Sequence, residues 1–339
     1  MNHLLDRSGP HRRSSKPKSD DFIEVLSGGS TGTPKRLLRP IDSWVQSAGA
    51  EASVFGFQSD ERFAVLGSPT HSLWAYAKFR SDLVGSHFFG LDQLIKANLA
   101  DLQSNKPTVL YGVPDLIALA ARRLFRSGQT LPTVRRVLLG GGPMPFGFSM
   151  DLIVKAFPEA STWIFYGAAE TSFVGYATPG QPYTPFPGVE VEVRKGSMMW
   201  VRSPMTISPK FWVNTGDCGR VVQDGRFEVL GRASRRLQVK GRKYPVEPIE
   251  RNLSLALDAE QFALLQDRRG RVSCVFVSHG SSIDPKIGLL AKINHVIHQT
   301  DPEFPGVSRM ISLEAGAWPL MPSGKTDWQA LTNLLDAST

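Results

Sequence analysis

The sequence predicts an α/β protein: a large doubly wound sheet, a small β-rich part after it, and a small α+β region at the C-terminal end. Three observations carry this. Between residues 22 and 165, short apolar runs of strand character alternate with longer helical runs, the pattern of a mostly parallel sheet with crossover helices. Glycine-rich turns follow those apolar runs at 27–32, 67, 112 and 140–142, which places them at strand carboxyl ends, where such sheets bind ligands. After Gly241 the order becomes β-α-β.

The first run, Phe22-Ile23-Glu24-Val25-Leu26, alternates like a short strand. It opens into Ser27-Gly28-Gly29-Ser30-Thr31-Gly32-Thr33-Pro34-Lys35. Its glycines permit backbone geometries closed to other residues, so main-chain N–H groups can converge on an anion. Ser27, Ser30, Thr31 and Thr33 add hydroxyl donors, and Lys35 adds a positive charge. The set suits a polyphosphate, although these residue types also make ordinary surface turns. Two familiar phosphate loops are excluded. A Walker loop needs Gly-Lys-Ser/Thr, but Lys35 is preceded by Pro34 and followed by Arg36. A dinucleotide fingerprint starting at Gly28 would need glycine at Ser30 and Thr33.

Residues 41–55 read as a helix capped by Asp42 or Ser43, and 62–66 as a buried strand ending at Gly67-Ser68-Pro69. Then comes His71, an isolated histidine of the kind that is ordinarily structural. Strand 108–111 runs into Gly112-Val113-Pro114 and an amphipathic helix over 115–126. Strand 134–139 ends in Gly140-Gly141-Gly142-Pro143; a helix over 151–157 and a strand over 163–165 follow. Next is Tyr166-Gly167-Ala168-Ala169-Glu170-Thr171. Glu170 there is either a surface glutamate or a hard oxygen ligand for Mg²⁺ on nucleotide phosphates. Strands are expected over 187–193 and 199–204, and Asn214-Thr215-Gly216-Asp217 reads on its own as a turn. Tyr244 to Glu250 opens a helix, 272–277 is a strand, and 285–298 is a helix with Ile287, Leu290, Ile293 and Ile297 on one face. Lys325, after Ser323-Gly324, would by itself be a solvated loop residue.

At 339 residues the chain can bury two cores, and 41% apolar with 21% charged residues is a globular composition. The net charge of +8 fits an anionic partner such as a nucleotide, coenzyme A or an acidic carrier protein, but the basic residues are dispersed, which favours no specific partner. No nucleic-acid-binding motif occurs. Cys218 and Cys274 form no metal-ligand spacing, which fits a reduced, cytoplasmic setting. Residues 1–20 read as a flexible basic tail without the apolar segment of a signal peptide, and no apolar run is long enough to span a membrane.

The glycine loop resembles the Ser/Thr-Gly-x-Ser/Thr-Thr-Gly-x-Pro-Lys signature of the adenylate-forming superfamily, which holds acyl- and aryl-CoA synthetases, adenylation domains and luciferases. Its partners recur in order. Ser68-Pro69-Thr70-His71 resembles the family's Pro-x-x-His beside the acyl pocket, and Tyr166 to Thr171 its Tyr-Gly-x-Thr-Glu, with Ala169 in place of threonine. Asn214 to Asp217 matches the ribose-binding aspartate motif. Gly231 to Gly241 resembles the hinge motif, with Ser234 for its aspartate and Gln238 for its lysine, and Pro319 to Lys325 the terminal Pro-x-x-x-x-Gly-Lys.

The resemblance implies an AMP-binding core over 21–232 and a mobile lid over 233–339. It implies Ser27, Gly29, Ser30, Thr31, Gly32, Lys35, Gly141, Gly142, Pro143, Tyr166 and Gly167 around the nucleotide, Asp217 on the ribose, and Arg232 on the ribose or α-phosphate. Glu170 would hold Mg²⁺, Lys325 and His71 would serve the chemistry, and Gly241 would line the path of a thiol acceptor. His71, Trp74, Phe173 and Gly140 to Gly142 suggest a modest, partly aromatic pocket for the acid. The activity implied is ATP-dependent activation of a carboxylic acid to an acyl-adenylate, then transfer to coenzyme A or a carrier-protein phosphopantetheine. The alternative is a non-catalytic relic that binds a nucleotide or a partner. Relatives carry a long segment before the glycine loop, where only 26 residues stand here. A homodimer or partner chain is therefore expected over the face near Phe22 to Leu26 and the helix from Asp42. The alternative is polar resurfacing, for which Arg36, Arg39, Gln46 and Glu51 are candidates.

Overall fold

The structure, a computed structural model, describes residues 22–27, 35–58, 60–67, 69, 71–92, 96–142, 150–257, 259–278, 288–314, 317–319 and 326–337. The chain begins with β1 (Phe22–Ser27) and β2 (Lys35–Pro40), an antiparallel pair with Ser27 opposite Lys35. The glycine loop itself, the basic tail expected over 1–20, Pro143 and Lys325 lie outside the described residues.

After α1 (Ile41–Phe55) come β3 (Arg62–Leu66), α2 (Ser72–Val84), β4 (His87–Leu91), α3 (Lys96–Ser104), β5 (Val109–Gly112), α4 (Pro114–Arg126), β6 (Arg136–Leu139), α5 (Met150–Ala156) and β7 (Ser161–Ala168). β8 (Ser172–Ala177) and β9 (Thr184–Pro185) complete the large sheet, whose order is β4-β3-β5-β6-β7-β8-β9. The first five run parallel, β8 runs against them, and β9, antiparallel to β8, closes the edge. From β3 the chain steps outward to β4 and returns past β3 to β5, so the order reverses there. That reversal is the switch point of a doubly wound sheet.

Strands β3, β5 and β6 read as nearly unbroken apolar runs because helices cover both their faces. One face is mostly aliphatic, with Leu102 of α3, Ile117 and Leu124 of α4 and Ile153 of α5 packed on Ala64, Leu110 and Val137. α4 forms here for several local reasons. Pro114 sits in its first turn, Asp115 faces the positive end of the helix dipole, Arg123 and Arg126 face the negative end, and Ile117, Ala120, Ala121 and Leu124 make one buried stripe. The other face is aromatic: Trp44, Phe55, Phe63, Tyr76, Tyr111, Phe165, Phe173 and Phe186 share a cluster with Val25 of β1.

A four-stranded antiparallel sheet follows, from β10 (Glu190–Arg194), β11 (Met198–Arg202), β12 (Val213–Val221) and β13 (Phe227–Arg232). β14 (Arg236–Val239) and β15 (Arg242–Pro245) form a hairpin and lead into α6 (Glu247–Leu257). The last part has β16 (Ala259–Gln266), β17 (Val272–Ser278), α7 (Leu289–Thr300), β18 (Arg309–Leu313) and α8 (Trp328–Ala337). Its three-stranded sheet is packed by α6 and α7 on one face, and by Trp318, Leu331 and Leu335 on the other. These two clusters share no residue with those of the large sheet.

Several expectations are corrected. α1 is capped by Pro40 without a side-chain hydrogen bond, and the Ser43 hydroxyl instead donates back to the Pro40 carbonyl (2.6 Å). The turn expected at Asn214 to Asp217 lies inside β12, where Gly216 takes φ +76° and the register shifts after Cys218. The helix expected from 285 begins at Leu289 in the described residues. α2, β4, α3, β8, β16 and α8 answer to no expected element; α2 and α3 carry no clear apolar stripe, whereas in α8 Trp328, Leu331 and Leu335 do stand at helical spacing. Of the four residues proposed as polar resurfacing, Arg39 and Glu51 are buried, at 1% and 0% exposure. On the face expected to need a cover, Trp44, Ala48 and Phe55 of α1 are buried within this chain, while Phe22 and Leu38 stand 58% and 65% exposed.

Candidate active site

Three expected residues meet at Asp217. The carboxylate is 5% exposed and comes from β12; Arg232 of β13 stands opposite it in the register and places its Nε 3.2 Å from Oδ1. The Tyr166 hydroxyl, from β7, donates to Oδ2 at 2.5 Å. The backbone is fixed as well, since the Asp217 N–H donates to Thr215 Oγ1 (3.1 Å) and Thr215 donates to the Met199 carbonyl (3.2 Å). Burial pushes the Asp217 pKa up, Arg232 and the Tyr166 hydrogen bond oppose that, and the Glu170 charge adds to it. The Tyr166 hydroxyl is itself raised well above its ordinary range, first by burial and then by Asp217. Its ring packs against Tyr183 and Phe227, with centroids 5.9 Å away in each case.

Glu170 occupies the turn between β7 and β8, partly exposed and within electrostatic reach of Asp217 and Arg39. The turn is tight. Thr171 N–H donates to the Ala168 carbonyl (3.1 Å), Ala168 N–H donates to Thr171 Oγ1 (3.0 Å), and Ser172 takes φ +56°. Gly167 is required because a Cβ there would overlap the Ser172 carbonyl oxygen. From α1, the Ser47 hydroxyl lies 2.7 Å from that of Ser172. The Ile207 N–H donates to the Glu170 carbonyl (2.9 Å).

Sequence reasoning missed Arg39. Its guanidinium donates to the carbonyls of Ala169 and Met205 (2.6 Å each) and to Ser43 Oγ (2.9 Å). Burial lowers its pKa to about 10, against which the Glu170 charge acts. A signal was present: in a hairpin of period two, Arg39 falls on the same face as Leu37, opposite Ile23, and that face is the inward one.

The remaining expected residues fall at strand ends. His71 is exposed at the start of α2, where its carbonyl accepts the Ala75 N–H (3.2 Å), at the carboxyl end of β3. A Cβ built at Gly141, φ +78°, would lie 3.5 Å from Val113 and 3.9 Å from Leu73, so the turns after β3, β5 and β6 converge beside the switch point. Gly142 is exposed next to it. Gly241 (φ +81°) follows Lys240 (φ +50°) in a two-residue turn between β14 and β15, the primed geometry that suits a hairpin's twist. Ser27 ends β1 and Lys35 begins β2, at the two feet of the glycine loop. The aromatic pocket wall expected from Trp74 and Phe173 is corrected for Phe173, while Trp74 stays partly exposed. Phe173 is core, packed on Tyr76, Phe165 and Phe186 with centroids 5.1, 5.1 and 5.2 Å away, and the Trp74 indole fills the space beside Gly90.

The family model for AMP-binding enzymes matches residues 4–203. The chain belongs to the AMP-binding enzyme family. Among curated members, an uncharacterised acyl-CoA ligase, YhfT, of Bacillus subtilis is 26% identical over 269 residues, covering 72% of this chain and 55% of its own length. A 2-succinylbenzoate–CoA ligase of Bacillus pumilus is 25% identical over 288 residues, covering 75% of this chain and 58% of its own. The chain thus spans somewhat over half the length of these relatives. Among solved structures, the amide bond synthetase McbA from Marinactinospora thermotolerans superposes with TM-score 0.75 at 20% identity, covering 97% of this chain and 72% of that one. The O-succinylbenzoate coenzyme A synthetase MenE from Bacillus subtilis, in complex with AMP, gives TM-score 0.75 at 18% identity, over 94% and 69%. The mixed sheet and the small C-terminal α+β part are the fold of these adenylate-forming enzymes. No helix among the described residues is long and apolar enough to cross a membrane.

Proposed function

We propose that the protein activates a carboxylic acid with ATP, forming an acyl-adenylate and pyrophosphate, and then passes the acyl group to a thiol. The observation that carries this reading is the Asp217 cluster. A buried carboxylate held between Tyr166 and Arg232 offers oxygens that can accept from a pair of ribose hydroxyls, with an aromatic ring and a guanidinium beside it. In the reaction, an oxygen of the substrate carboxylate attacks the α-phosphorus as the bond to the β-phosphate breaks and pyrophosphate leaves. Two anions must meet, so positive charge and positioning are what the protein has to supply. Lys35, Arg232 and Lys325 are the cations proposed for this, with the glycine loop's N–H groups; Gly141, Gly142 and Pro143 are proposed to meet the nucleotide, and His71 the acid.

Glu170 fits a Mg²⁺ that arrives with the phosphates. It is a partly exposed carboxylate on a pinned turn, and the described residues hold no cluster of three or more His, Cys, Asp or Glu side chains that could cage a metal. Bound there, the ion would neutralise charge on the departing pyrophosphate. We also propose a boundary at 232/233, with 233–339 as the lid and Gly241 on the acceptor path. Coenzyme A and a carrier-protein phosphopantetheine are the acceptors considered, and a homodimer or partner chain would cover Phe22 and Leu38.

Carboxylate-dependent ATP–pyrophosphate exchange over a panel of aliphatic and aryl acids tests the reading. Exchange with one acid class supports it. Nucleotide binding without exchange for any acid would instead favour the non-catalytic relic, the reading to which Ala169 and Ser234 point.

A further inference from the structure

Most of the buried ionisable groups in the large-sheet part have an evident structural partner. Glu61 bonds Arg135 and Arg136 beneath the parallel strands, and Glu51 bonds Tyr76 and lies 3.5 Å from Arg80. Arg39 is different. It is a wholly buried cation with no carboxylate among the described residues bonded to it; its acceptors there are two main-chain carbonyls and a hydroxyl. Burying a charge is costly unless hydrogen bonds replace its hydration, so a position that uses it only for packing would be better served by an apolar residue.

The acceptors show what the cation joins. Ala169 is the residue immediately before Glu170. Met205 belongs to the segment after β11, whose Ile207 N–H donates to the Glu170 carbonyl at 2.9 Å. Ser43 is in the first turn of α1, one turn before Ser47, which meets Ser172 at the far side of the same turn. Arg39 itself is the fifth residue of β2, the strand that leaves the glycine loop. One guanidinium therefore bonds the Glu170 turn and the 203–208 segment to the strand that anchors the phosphate loop.

We propose that Arg39 is a positioning residue that locks the Glu170 turn to the phosphate-loop hairpin and so sets the affinity for the metal-bound triphosphate. It touches neither substrate nor metal. It acts by holding the Ala169 carbonyl, which fixes the direction in which Glu170 leaves the turn. The proposal rests on the nucleotide reading above for its ligand, but the mechanical link does not.

Two measurements on wild type, Arg39→Met and Arg39→Lys test it. The first is hydrogen exchange of the peptides covering 168–172 and 205–208, read without nucleotide. Arg39→Met should exchange there at least tenfold faster while peptides of β5 and β6 stay unchanged; Arg39→Lys, able to reach fewer acceptors, should fall between. The second is calorimetric titration with AMP and with ATP in saturating Mg²⁺. Arg39→Met should lose roughly tenfold in Mg²⁺–ATP affinity and stay within about twofold for AMP, which carries no β- or γ-phosphate. A purely structural role would lower both affinities together, and unchanged exchange at 168–172 would overturn the lock outright. Should Arg39→Met fail to fold, Ser43→Ala and Arg39→Lys carry both measurements, with a threefold loss confined to Mg²⁺–ATP expected and an unchanged ratio overturning the proposal. If wild type binds neither nucleotide, the acid-activation reading fails, and the exchange result still decides the lock.

Discussion

The two carboxylates of the candidate site, Glu170 and Asp217, are held in opposite ways. Asp217 is fixed through its side chain: both oxygens are engaged, by Tyr166 and Arg232, and the carboxyl is buried. Glu170 is fixed through its main chain, with its flanking carbonyls taken by Arg39 and Ile207, while its carboxylate makes no hydrogen bond or ion pair with a described residue. The difference matches the two tasks proposed. A ribose presents hydroxyls of fixed geometry, which a preset acceptor reads well. A metal ion carried on phosphates needs an open oxygen on a rigid base.

The largest effect expected lies outside both. Lys325→Ala should lower adenylate formation by at least about a hundredfold, in line with loss of a transition-state charge partner. AMP binding should stay near wild type, because neither carboxylate is touched. Wild-type exchange rates in that variant would remove the lysine from the account.

A stability comparison sharpens the contrast between the two supports. Gly167 and Gly216 each stand close to one carboxylate, yet for different reasons. A Cβ at Gly167 would meet the Ser172 carbonyl, which cannot retreat without opening the Glu170 turn, so Gly167→Ala should cost about 3 kcal/mol or more. At Gly216 the nearest atom would be Arg232 Nη1 at 3.9 Å, so only the φ of +76° opposes alanine, and the cost should be about 1–2 kcal/mol. Denaturant melts of the two variants decide; equal costs would mean that the turn is softer than its hydrogen bonds imply.

What the sequence disclosed follows the same division. Asp217, Arg232, Tyr166 and Glu170 were legible because each sits in a short motif, and β3, β5 and β6 because burial on both faces makes them continuously apolar. Arg39, Ser47 and Ser172 were not, since a lone arginine or serine carries no period, and its burial depends on partners more than a hundred residues away. The polar seam along α1, in which Ser43, Ser47 and Glu51 recur every four residues, resembles a solvent face until α2 and β8 are seen to cover it.

Glu51 supplies a smaller test of that seam. Burial pushes its pKa from the ordinary 4.5 up to about 8, against the pull of Arg80 and the Tyr76 hydrogen bond. The folded state then holds a proton that the unfolded state has released, so stability falls as pH rises from about 4.5 to 8. Glu250, raised to about 7 by burial against the pull of Arg235, acts in the same direction. Glu51→Gln should flatten the decline in Tm between pH 5 and 8 by several degrees without abolishing it. An unchanged slope would mean that Glu51 is ionised throughout.

The most direct measurement is a crossed titration: Asp217→Asn and Glu170→Gln, each titrated calorimetrically with AMP and with Mg²⁺–ATP. Asp217→Asn should lose about tenfold or more for both ligands, because both carry the ribose and a charge-assisted hydrogen bond contributes about 1.5–3 kcal/mol. Glu170→Gln should lose a similar factor for Mg²⁺–ATP alone and keep its AMP affinity within about twofold. Equal losses for both ligands in both variants, or none in either, would contradict the division of labour between the two carboxylates.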